Sequence, residues 1–472
     1  MTEILFGQSY FLRFDPKLWE AMQPYPPLGT LYAASYVRAR GYSVALFDAM
    51  LAGGEHEWAA ALAEHAPRFA VLYEDNFNYL SKMCLLRMRE AAFTMIEMAR
   101  ARGCAVIVAG ADATDHAALY LERGADFVLL GEGEETLGEL LDALSGRSSQ
   151  DPASIAGLAP RSTLRGSRRA ELKQLDALPF PAWDLVDMAR YRRVWLERHG
   201  YFSMNMVTTR GCPYHCNWCA KPIWGQRYNA RSPENVVAEL KWLQDNFAPD
   251  HIWFADDIFG LKPGWIERFA QLACAAGAVV PFKCLQRADL VTEKVAAALA
   301  AAGCQTVWMG AESGSQKILD AMDKGQTVAE IQRAASVLRA HAIRVGFFLQ
   351  FGYPGETWAD IALTRRMVRD SLPDDIGISV SYPLPGTRFH ERVQAELGAQ
   401  RNWRDSDDLA MLYHGPFPAE FYRLLHRFIH AEHRLHKIMR RGRWREWPRA
   451  LYEALRWAQM RVGLMPYVQR GA

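Results

Sequence analysis

The chain has 472 residues, half of them apolar and 23% charged, and its formal net charge is +2. This length predicts two or three domains, and the composition is typical of a globular protein. A charge this close to zero argues against a nucleic-acid-binding protein and gives no general attraction to an anionic membrane. The amino terminus lacks the pattern of a signal peptide, and no apolar run reaches the roughly 18–20 residues of a membrane span. We therefore expect a cytoplasmic protein without a membrane span.

The cysteines agree with a reducing compartment. Five of the eight stand singly in apolar surroundings, where cysteine behaves as a small buried hydrophobe. They are Cys84, Cys104, Cys274, Cys284 and Cys304. The other three form a motif that is taken up below.

Residues 1–145 alternate between short β-rich runs and helical patterns, which predicts a parallel sheet with crossover helices. Strands are expected at Ile4–Gly7, Ser43–Phe47, Phe69–Tyr73, Ala105–Ala109 and Phe127–Leu130. Helices are expected at Leu28–Arg40, Glu57–His65, Ser81–Arg102, Asp115–Arg123 and Glu134–Leu144. This order indicates a doubly wound, flavodoxin-like α/β domain, in which ligands bind beyond the carboxyl ends of the strands.

Three loops at those strand ends are candidates for ligand binding. They contain Tyr73-Glu74-Asp75, Gly110-Ala111 and Gly131-Glu132-Gly133. Glycine lets the backbone approach a ligand closely, and Gly133 precedes a helix whose N–H groups would face outward toward a phosphate or an amide-rich ligand. Ordinary turn chemistry explains the same residues equally simply. A dinucleotide is disfavoured, because no G-x-G-x-x-G follows the first strand.

Residues 146–200 are predicted to be a linker. Residues 146–170 are polar and turn-rich, which indicates an exposed connection. The prolines within residues 178–185 preclude a continuous helix, and the aromatic side chains there are expected to pack between domains.

Residues 201–396 resume the alternation of strands and helices. Strands are expected at Phe202–Thr208, His251–Ala255, Phe282–Leu285, Thr306–Met309, Val345–Phe351 and Gly377–Ser381. Helices are expected at Pro233–Asn246, Gly264–Ala276, Thr292–Ala301, Gln316–Met322, Val328–His341 and Thr357–Ser371. Polar residues stand at the carboxyl ends of these strands, where barrel enzymes place their chemistry. They are Asp256, Asp257, Gln286, Arg287, Glu312, Ser313 and Gln350, and turn capping or surface ion pairing would also account for several of them.

A cysteine motif follows the first of these strands. Cys212, Cys216 and Cys219 have the spacing C-x3-C-x2-C. Three thiolates on one loop can hold three irons of a cubane iron–sulfur cluster and leave the fourth iron open. Zinc is the alternative, but it would need a fourth ligand, and His215 is too close in sequence to complete a good tetrahedron.

The motif resembles that of the radical S-adenosylmethionine (SAM) enzymes, in which an aromatic residue, here Trp218, precedes the last cysteine. The resemblance implies a partial (β/α)6 barrel and a 4Fe-4S cluster on Cys212, Cys216 and Cys219 that reductively cleaves SAM to a 5′-deoxyadenosyl radical. The run Ala311-Glu312-Ser313-Gly314-Ser315 is similar to the strand end at which relatives contact SAM. SAM contacts are accordingly expected from Trp218, Asp256, Asp257, Arg287, Glu312 and Gln350.

Residues 26–34 and 124–134 resemble stretches of the cobalamin-binding domains that are fused to radical SAM domains. The resemblance implies a cobalamin-binding, Rossmann-like domain over residues 1–145. The expected contacts are Pro27, Gly29, Tyr73, Glu74, Asp75, Gly110, Ala111, Gly131, Glu132 and Gly133. The D-x-H-x-x-G motif is absent, which implies base-off cobalamin without a histidine lower ligand. The same absence would fit a domain that has lost cobalamin.

Residues 397–472 are predicted to form a helical and basic segment that sets substrate identity. His426, His430 and His433 share one helix face. Because no carboxylate or cysteine motif lies nearby, a polar face is favoured over a metal site. Arginines interleave with Trp444, Trp447 and Trp457, a mixture that suits a membrane surface or an anionic substrate. An amphipathic helical cap over the barrel mouth is the simpler interpretation.

The resemblance implies a cobalamin-dependent radical SAM methyltransferase. The radical would activate an unactivated carbon of a small-molecule or lipid-like metabolite, which takes its methyl group from methylcobalamin. We expect a monomer with an external flavodoxin- or ferredoxin-type electron donor and at most weak surface association. Three alternatives stay open. They are radical cyclisation or rearrangement, as in the anaerobic magnesium-protoporphyrin ester cyclase that the chain also resembles, transfer of another SAM fragment such as aminocarboxypropyl, and a non-catalytic cluster or corrinoid carrier.

Overall fold

A computed structural model describes residues 2–83, 85–221, 223–398, 402–441 and 447–470, so that Cys84 and Trp444 lie outside the described residues. Two six-stranded sheets organise the chain. The central strands of the amino-terminal sheet are apolar and buried on both faces, as is typical of parallel sheets that helices cover on both sides, whereas those of the second sheet are less buried on one face. Within the described ranges, no helix combines the length and the apolar character that are needed to cross a membrane.

The amino-terminal sheet has the strand order β2-β1-β3-β4-β5-β6. Its strands are β1 (Ile4–Gly7), β2 (Val44–Leu46), β3 (Phe69–Tyr73), β4 (Ala105–Ala109), β5 (Phe127–Leu129) and β6 (Leu158–Pro160). The five predicted strands are present and parallel, in the flavodoxin order. The sixth, β6, was not predicted; it pairs with β5 in the antiparallel direction. The interpretation of residues 146–170 as an exposed connection is therefore wrong for Leu158 and Ala159, which are buried in this sheet.

The helices of this domain are α1 (Pro16–Ala21), α2 (Leu28–Ala39), α3 (Glu55–His65), α4 (Tyr79–Met83), α5 (Leu86–Ala101), α6 (Ala111–Asp115), α7 (Ala117–Glu122) and α8 (Glu134–Leu144). One predicted helix, Ser81–Arg102, is divided into α4 and α5, while α1 and α6 were not predicted. The division has a tertiary cause, since the N–H of Leu86 donates to the carbonyl of Trp403, 2.8 Å away in the carboxyl-terminal segment. The chain thus leaves the helical path between α4 and α5 to join a distant part of the fold.

The linker ends in a helix that was not predicted, α9 (Met188–His199). The indole N–H of Trp195 in α9 donates to the Pro24 carbonyl at 2.8 Å, and Trp195 is fully buried. Trp183 is also fully buried, and its N–H donates to Glu239 of the second domain at 3.3 Å. Linker tryptophans therefore pack between the domains, as the sequence predicts.

The second sheet is parallel throughout, with the order β14-β13-β12-β11-β10-β7. Its strands are β7 (Ser203–Met206), β10 (His251–Phe254), β11 (Phe282–Gln286), β12 (Cys304–Glu312), β13 (Arg344–Phe351) and β14 (Asp375–Val380), while β8 (Thr209–Arg210) and β9 (Asn229–Ala230) form a separate antiparallel pair. The helices are α10 (Pro233–Phe247), α11 (Trp265–Ala275), α12 (Glu293–Ala301), α13 (Gln316–Ala321), α14 (Val328–Ala340), α15 (Trp358–Ser371) and α16 (Arg388–Val393). All six predicted strands and six predicted helices are present. Because β7 and β14 are the two edges of the sheet, the barrel is incomplete.

The carboxyl-terminal helices are α17 (Ala419–Arg441) and α18 (Trp447–Arg470). Helix α17 lies along α15 and the start of β14 rather than over the barrel mouth, since Glu432 pairs with Arg365 at 2.6 Å and a ring nitrogen of His433 lies 2.8 Å from the Pro373 carbonyl oxygen. The rings of His426 and His430 lie 4.6 Å apart, and burial lowers their pKa values to about 4 and about 3. In the part of the chain that the structure describes, no three or more His, Cys, Asp and Glu side chains are grouped so that they could hold a metal ion.

A buried ion pair of the second domain lies beside the domain contact. Arg231, 4% exposed, pairs with Glu239 at 2.5 Å and donates to Tyr32 of the first domain at 3.1 Å. We expect Glu239→Gln to lower the free energy of unfolding by about 3–5 kcal/mol, because Arg231 would remain charged and buried.

The matched control lies on the same helix. Glu234 pairs with Arg268 in solvent, where both side chains are about half exposed. Glu234→Gln should cost less than about 1 kcal/mol. Thermal unfolding midpoints measured side by side check this prediction, and equal midpoints for the two variants would contradict it.

Candidate active site

The cysteine loop follows β7 and the short strand β8. Asp256 holds the chain in place where it passes from β7 to β8. The Asp256 carboxylate accepts hydrogen bonds of 2.7–2.9 Å from the backbone N–H and the hydroxyl of both Thr208 and Thr209. Burial raises its pKa to about 6. These bonds hold the segment before the cysteine loop rather than the turn that follows Asp256, and the contact of Asp256 with SAM stays a prediction.

Asn217, between the second and third cysteines, attaches the loop to the barrel. Its side-chain amide donates to the carbonyl of Ala321 at 2.8 Å and to Asp323 at 2.9 Å, while its side-chain oxygen accepts from the Tyr353 hydroxyl at 2.8 Å. Its backbone N–H donates to the carbonyl of Met322 at 3.0 Å. Sequence reasoning missed Asn217 and Tyr353, although Asn217 lies inside the motif.

The three cysteines are half-buried on this loop. Burial raises the pKa of Cys212 and of Cys219, the latter to about 12, and each of these thiols also feels the charge of Cys216. In a cubane cluster each cysteine binds its own iron, so the three need not converge on one ion. The donor set fits a cluster of this kind.

Trp218 packs at the edge of a small apolar cluster that contains Ile318, Met322, Tyr353 and Phe389. Its indole N–H is buried and has no hydrogen-bond partner among the described residues. Buried donors are normally paired, so this one offers a contact to a ligand. The predicted contact between Trp218 and SAM is compatible with this position and stays a prediction.

A buried group of charges lies beside the loop. Lys324 donates to Glu312 at 2.8 Å, and both side chains are at most 8% exposed. Arg287 donates to the Lys324 carbonyl at 3.0 Å and lies over the ring of Tyr214, 3.6 Å from its centroid. Glu312 has a φ of 55°, a strained conformation for a non-glycine residue and one that clusters at functional sites. The structure thus brings Glu312 and Arg287 together and adds Lys324, which sequence reasoning missed.

The amino-terminal domain contributes side chains to the barrel mouth. Lys82 of α4 pairs with Asp257 at 2.7 Å. Tyr79 precedes Lys82 by three positions and so lies on the same helix face. Burial of its phenol group, followed by the negative charges of Cys219 and Glu312, raises its pKa, so this group lies near the cysteine loop. Gln350, also predicted, donates to Ser381 at 3.0 Å.

Arg210 joins the cysteine loop to the amino-terminal sheet. It immediately precedes Gly211 and pairs with Glu132 at 2.5 Å and with Glu134 at 2.7 Å, and all three side chains are at most 5% exposed. The N–H of Gly133 donates to the Tyr73 hydroxyl at 3.3 Å. The Gly133 N–H is therefore taken by Tyr73, whereas the outward-facing N–H groups expected in the first turn of α8 stay a prediction.

Other predicted cobalamin contacts form one network at the strand ends. Asp75 accepts from the N–H of Gly29 at 3.0 Å, and a Cβ on Gly29 would lie only 3.2 Å from the Glu74 carbonyl oxygen. Glu74 accepts from the N–H of Ser9 at 3.0 Å and packs against Gly110. The other three predicted contacts are Pro27 at the start of α2, Ala111 at the start of α6 and Gly131 in the loop before α8. Whether these residues contact cobalamin stays a prediction.

A small cavity separates this network from the cysteine loop. Gly29, Tyr73 and Glu132 line it, and with about 10 Å³ it has room for about one water molecule. Phe77 and Trp224 close it, with ring centroids 4.9 Å apart. Several buried polar atoms on the carboxyl side of β1 and β3 lack partners among the described residues; they are on Gln8, Ser9, Tyr10, Asn76 and Ser81. Such atoms suit a polar ligand, but a corrin would fit only if Phe77 and Trp224 separate.

We expect Asn217→Ala to loosen the cysteine loop, because it removes three side-chain hydrogen bonds to the barrel. After anaerobic reconstitution, the variant should lose iron to a chelator several-fold faster than the wild type. Asn246→Ala, at an exposed amide on α10, is the matched control and should behave as the wild type. Equal rates of iron loss for both variants would contradict the anchoring role.

Two curated relatives resemble much of the chain. An uncharacterised methyltransferase of Pyrococcus horikoshii is 31% identical over 289 residues, which is 59% of this chain and 60% of the relative. The anaerobic magnesium-protoporphyrin IX monomethyl ester cyclase of a Synechocystis species is 24% identical over 67% of this chain and 63% of its own. This chain thus matches about three fifths of the length of these relatives.

A solved structure has the same fold. It is that of the radical S-adenosylmethionine methyltransferase TsrM from Kitasatospora setae, with cobalamin and a 4Fe-4S cluster bound. The match has a TM-score of 0.65 at 20% identity and covers 80% of this chain and 72% of TsrM.

Two family models match the chain in succession. The B12 binding domain matches residues 19–141, and the radical SAM superfamily matches residues 206–368. They lie inside the two predicted α/β regions, and the family resemblance drawn from the motifs is confirmed. The protein therefore carries a B12-binding domain followed by a radical SAM domain.

Proposed function

We propose that the protein is a cobalamin-dependent radical SAM methyltransferase that acts on a small-molecule or lipid-like metabolite. One observation carries the proposal: the cysteine loop and the carboxyl edge of the amino-terminal sheet meet at one place. Arg210 links them through Glu132 and Glu134, and Lys82 of α4 reaches Asp257 at the barrel mouth. A cluster on the loop and a corrin at the sheet edge would therefore act on one substrate.

The chain's own residues hold and orient these groups. Cys212, Cys216 and Cys219 would bind the 4Fe-4S cluster, and Asn217 keeps their loop in place. When bound, the cluster, SAM and cobalamin supply the radical and methyl-transfer chemistry. Lys324 and Glu312 present opposite charges beside the loop, which complement the carboxylate and ammonium of SAM's methionine part.

Cobalamin would bind at the edge formed by the loops after β1, β3, β4 and β5. The unpaired polar atoms of Asn76 and Ser81 support this proposal. The electron would come from an external flavodoxin- or ferredoxin-type donor, for which the half-buried cysteine loop leaves access. The monomeric state, the cytoplasmic location and weak surface association stay predictions.

The first experiment supplies iron, sulfide and hydroxocobalamin under anaerobic conditions and analyses the products formed from SAM and a strong reductant. The proposal predicts retained cobalamin together with 5′-deoxyadenosine and S-adenosylhomocysteine. Cys216→Ala should abolish 5′-deoxyadenosine formation, whereas Cys274→Ala, at an exposed cysteine of α11, should leave it unchanged. 5′-Deoxyadenosine without S-adenosylhomocysteine would indicate a cyclase or rearrangement instead, and failure to cleave SAM would indicate a carrier.

Cobalamin binding should depend on the stacked pair of Phe77 and Trp224. Because this pair closes the cavity, we expect Trp224→Ala to bind hydroxocobalamin several-fold faster than the wild type in stopped-flow absorbance. Trp242→Ala, on the exposed side of α10, is the control and should not change the rate. Unchanged binding by Trp224→Ala would place the corrin elsewhere, and no binding by the wild type would refute the cobalamin proposal.

A further inference from the structure

The inner face of the half-barrel carries a cation without a counter-ion. In β11, buried Phe282 and Cys284 alternate with half-buried Lys283 and Leu285, so Lys283 lies on the face opposite the buried one. Lys283 is in register with Trp253 of β10, and its ammonium lies 4.3 Å from that ring centroid and 5.6 Å from the ring of Tyr25.

The surroundings of Lys283 supply no negative charge. Among the described residues it has no hydrogen bond and no ion pair, and burial lowers its pKa to about 8. His251 of β10 is neutral, since burial lowers its pKa to about 3, and Arg344 of β13 is a cation. Asp375, at the start of β14, lies three strands away. A half-buried ammonium without an acid is costly, so an anionic ligand would complete this site.

Two stacked aromatic rings lie on the same face of the sheet as Lys283. Trp308 of β12 and Phe348 of β13 stack with centroids 4.7 Å apart and planes at 25°. The indole of Trp308 lies over Gly346, where a Cβ would come within 2.4 Å of the ring. Phe348 is 40% exposed although β13 has a strand on either side. An exposed aromatic ring in the middle of a sheet offers a planar apolar group a surface to stack on.

We propose that the inner face of the half-barrel is a substrate-binding site in which Lys283 binds a carboxylate or phosphate and the stacked Trp308 and Phe348 bind a planar apolar body. This inference rests on the proposed function, because it identifies the ligand as the substrate. Lys283 lies three residues, or about 10 Å, below Gln286 at the carboxyl end of β11. An anion held there directs the far end of the ligand toward the cysteine loop.

The test measures binding to the full-length protein with its cluster reconstituted and without SAM. The probes are 4-fluorobenzoate, followed by ¹⁹F NMR, and inorganic phosphate, followed by calorimetry. Lys283→Met should weaken binding of the preferred probe at least about tenfold, because it removes a charge-assisted hydrogen bond. Lys283→Arg should retain binding, and Lys262→Met, at an exposed lysine, should equal the wild type. Phe348→Ala should weaken 4-fluorobenzoate and leave phosphate unchanged.

The pH dependence adds a second readout. Only the ammonium form of Lys283 attracts an anion, so the affinity for 4-fluorobenzoate, whose carboxylate stays ionised above about pH 5, should be constant from there to a pH of about 8 and fall about tenfold per unit above it. Lys283→Arg should bind without this fall, because arginine keeps its charge.

Each outcome decides the inference. Preference for 4-fluorobenzoate supports a carboxylate on a planar body, and binding of phosphate alone supports a phosphate. Binding by Lys283→Met as tight as by the wild type, or no binding of either probe by the wild type, overturns the site. Since the assay does not use SAM, failure of the proposed function would appear separately, as an absence of SAM cleavage.

Discussion

A buried ion pair between Arg210 and two glutamates ties the two halves of the candidate active site together. Arg210 directly precedes the cysteine loop, whereas Glu132 and Glu134 belong to the amino-terminal sheet, and burial leaves none of these charges more than 5% exposed. A charge buried this deeply is strongly destabilising without its partner. The position of the cysteine loop therefore depends on the amino-terminal domain, and the loop after β5 depends on the barrel in turn. This mutual dependence brings the proposed cluster site and the proposed corrin site close together.

The rule that buried polar groups need partners also distinguishes the scaffold from the proposed ligand sites. Where buried polar groups are fully paired, as Asp256 is with two threonines and Asn217 with Tyr353, they fix the backbone around the cysteines. Among the buried groups that lack hydrogen-bond partners within the described residues, Asn76 at the sheet edge and Trp218 on the loop lie where we propose cofactors. Such groups are rare in folded proteins, so bound cofactors would complete their hydrogen bonding. Lys283 on the inner face is half-buried and has an aromatic ring but no acid beside it, and there we propose the substrate.

The sequence predicts the strands of both sheets well because most are apolar runs that parallel sheets bury, and the cysteine spacing alone predicts a metal-ligating loop. It misses β6, an edge strand of three residues, and it joins α4 to α5 because the break between them depends on Trp403, far along the chain. The site residues that the sequence did not reveal also depend on long-range contacts. Lys324 and the Tyr73 hydroxyl, which accepts from the Gly133 N–H, acquire their positions from tertiary contacts that no local pattern encodes. Local physics thus determines the elements, and long-range contacts complete the site.

The central claim, that cluster and cobalamin face one cavity, is tested most directly by electron paramagnetic resonance. The protein would be loaded with both groups, and the signal of paramagnetic cobalt would be recorded with the cluster oxidised and then reduced. Two paramagnetic centres in one cavity interact, so we predict a broadened and faster-relaxing cobalt signal once the cluster is reduced, with Cys216→Ala as the cluster-deficient control. A cobalt signal that does not change on reduction would mean that the two centres lie far apart, and it would contradict the shared site.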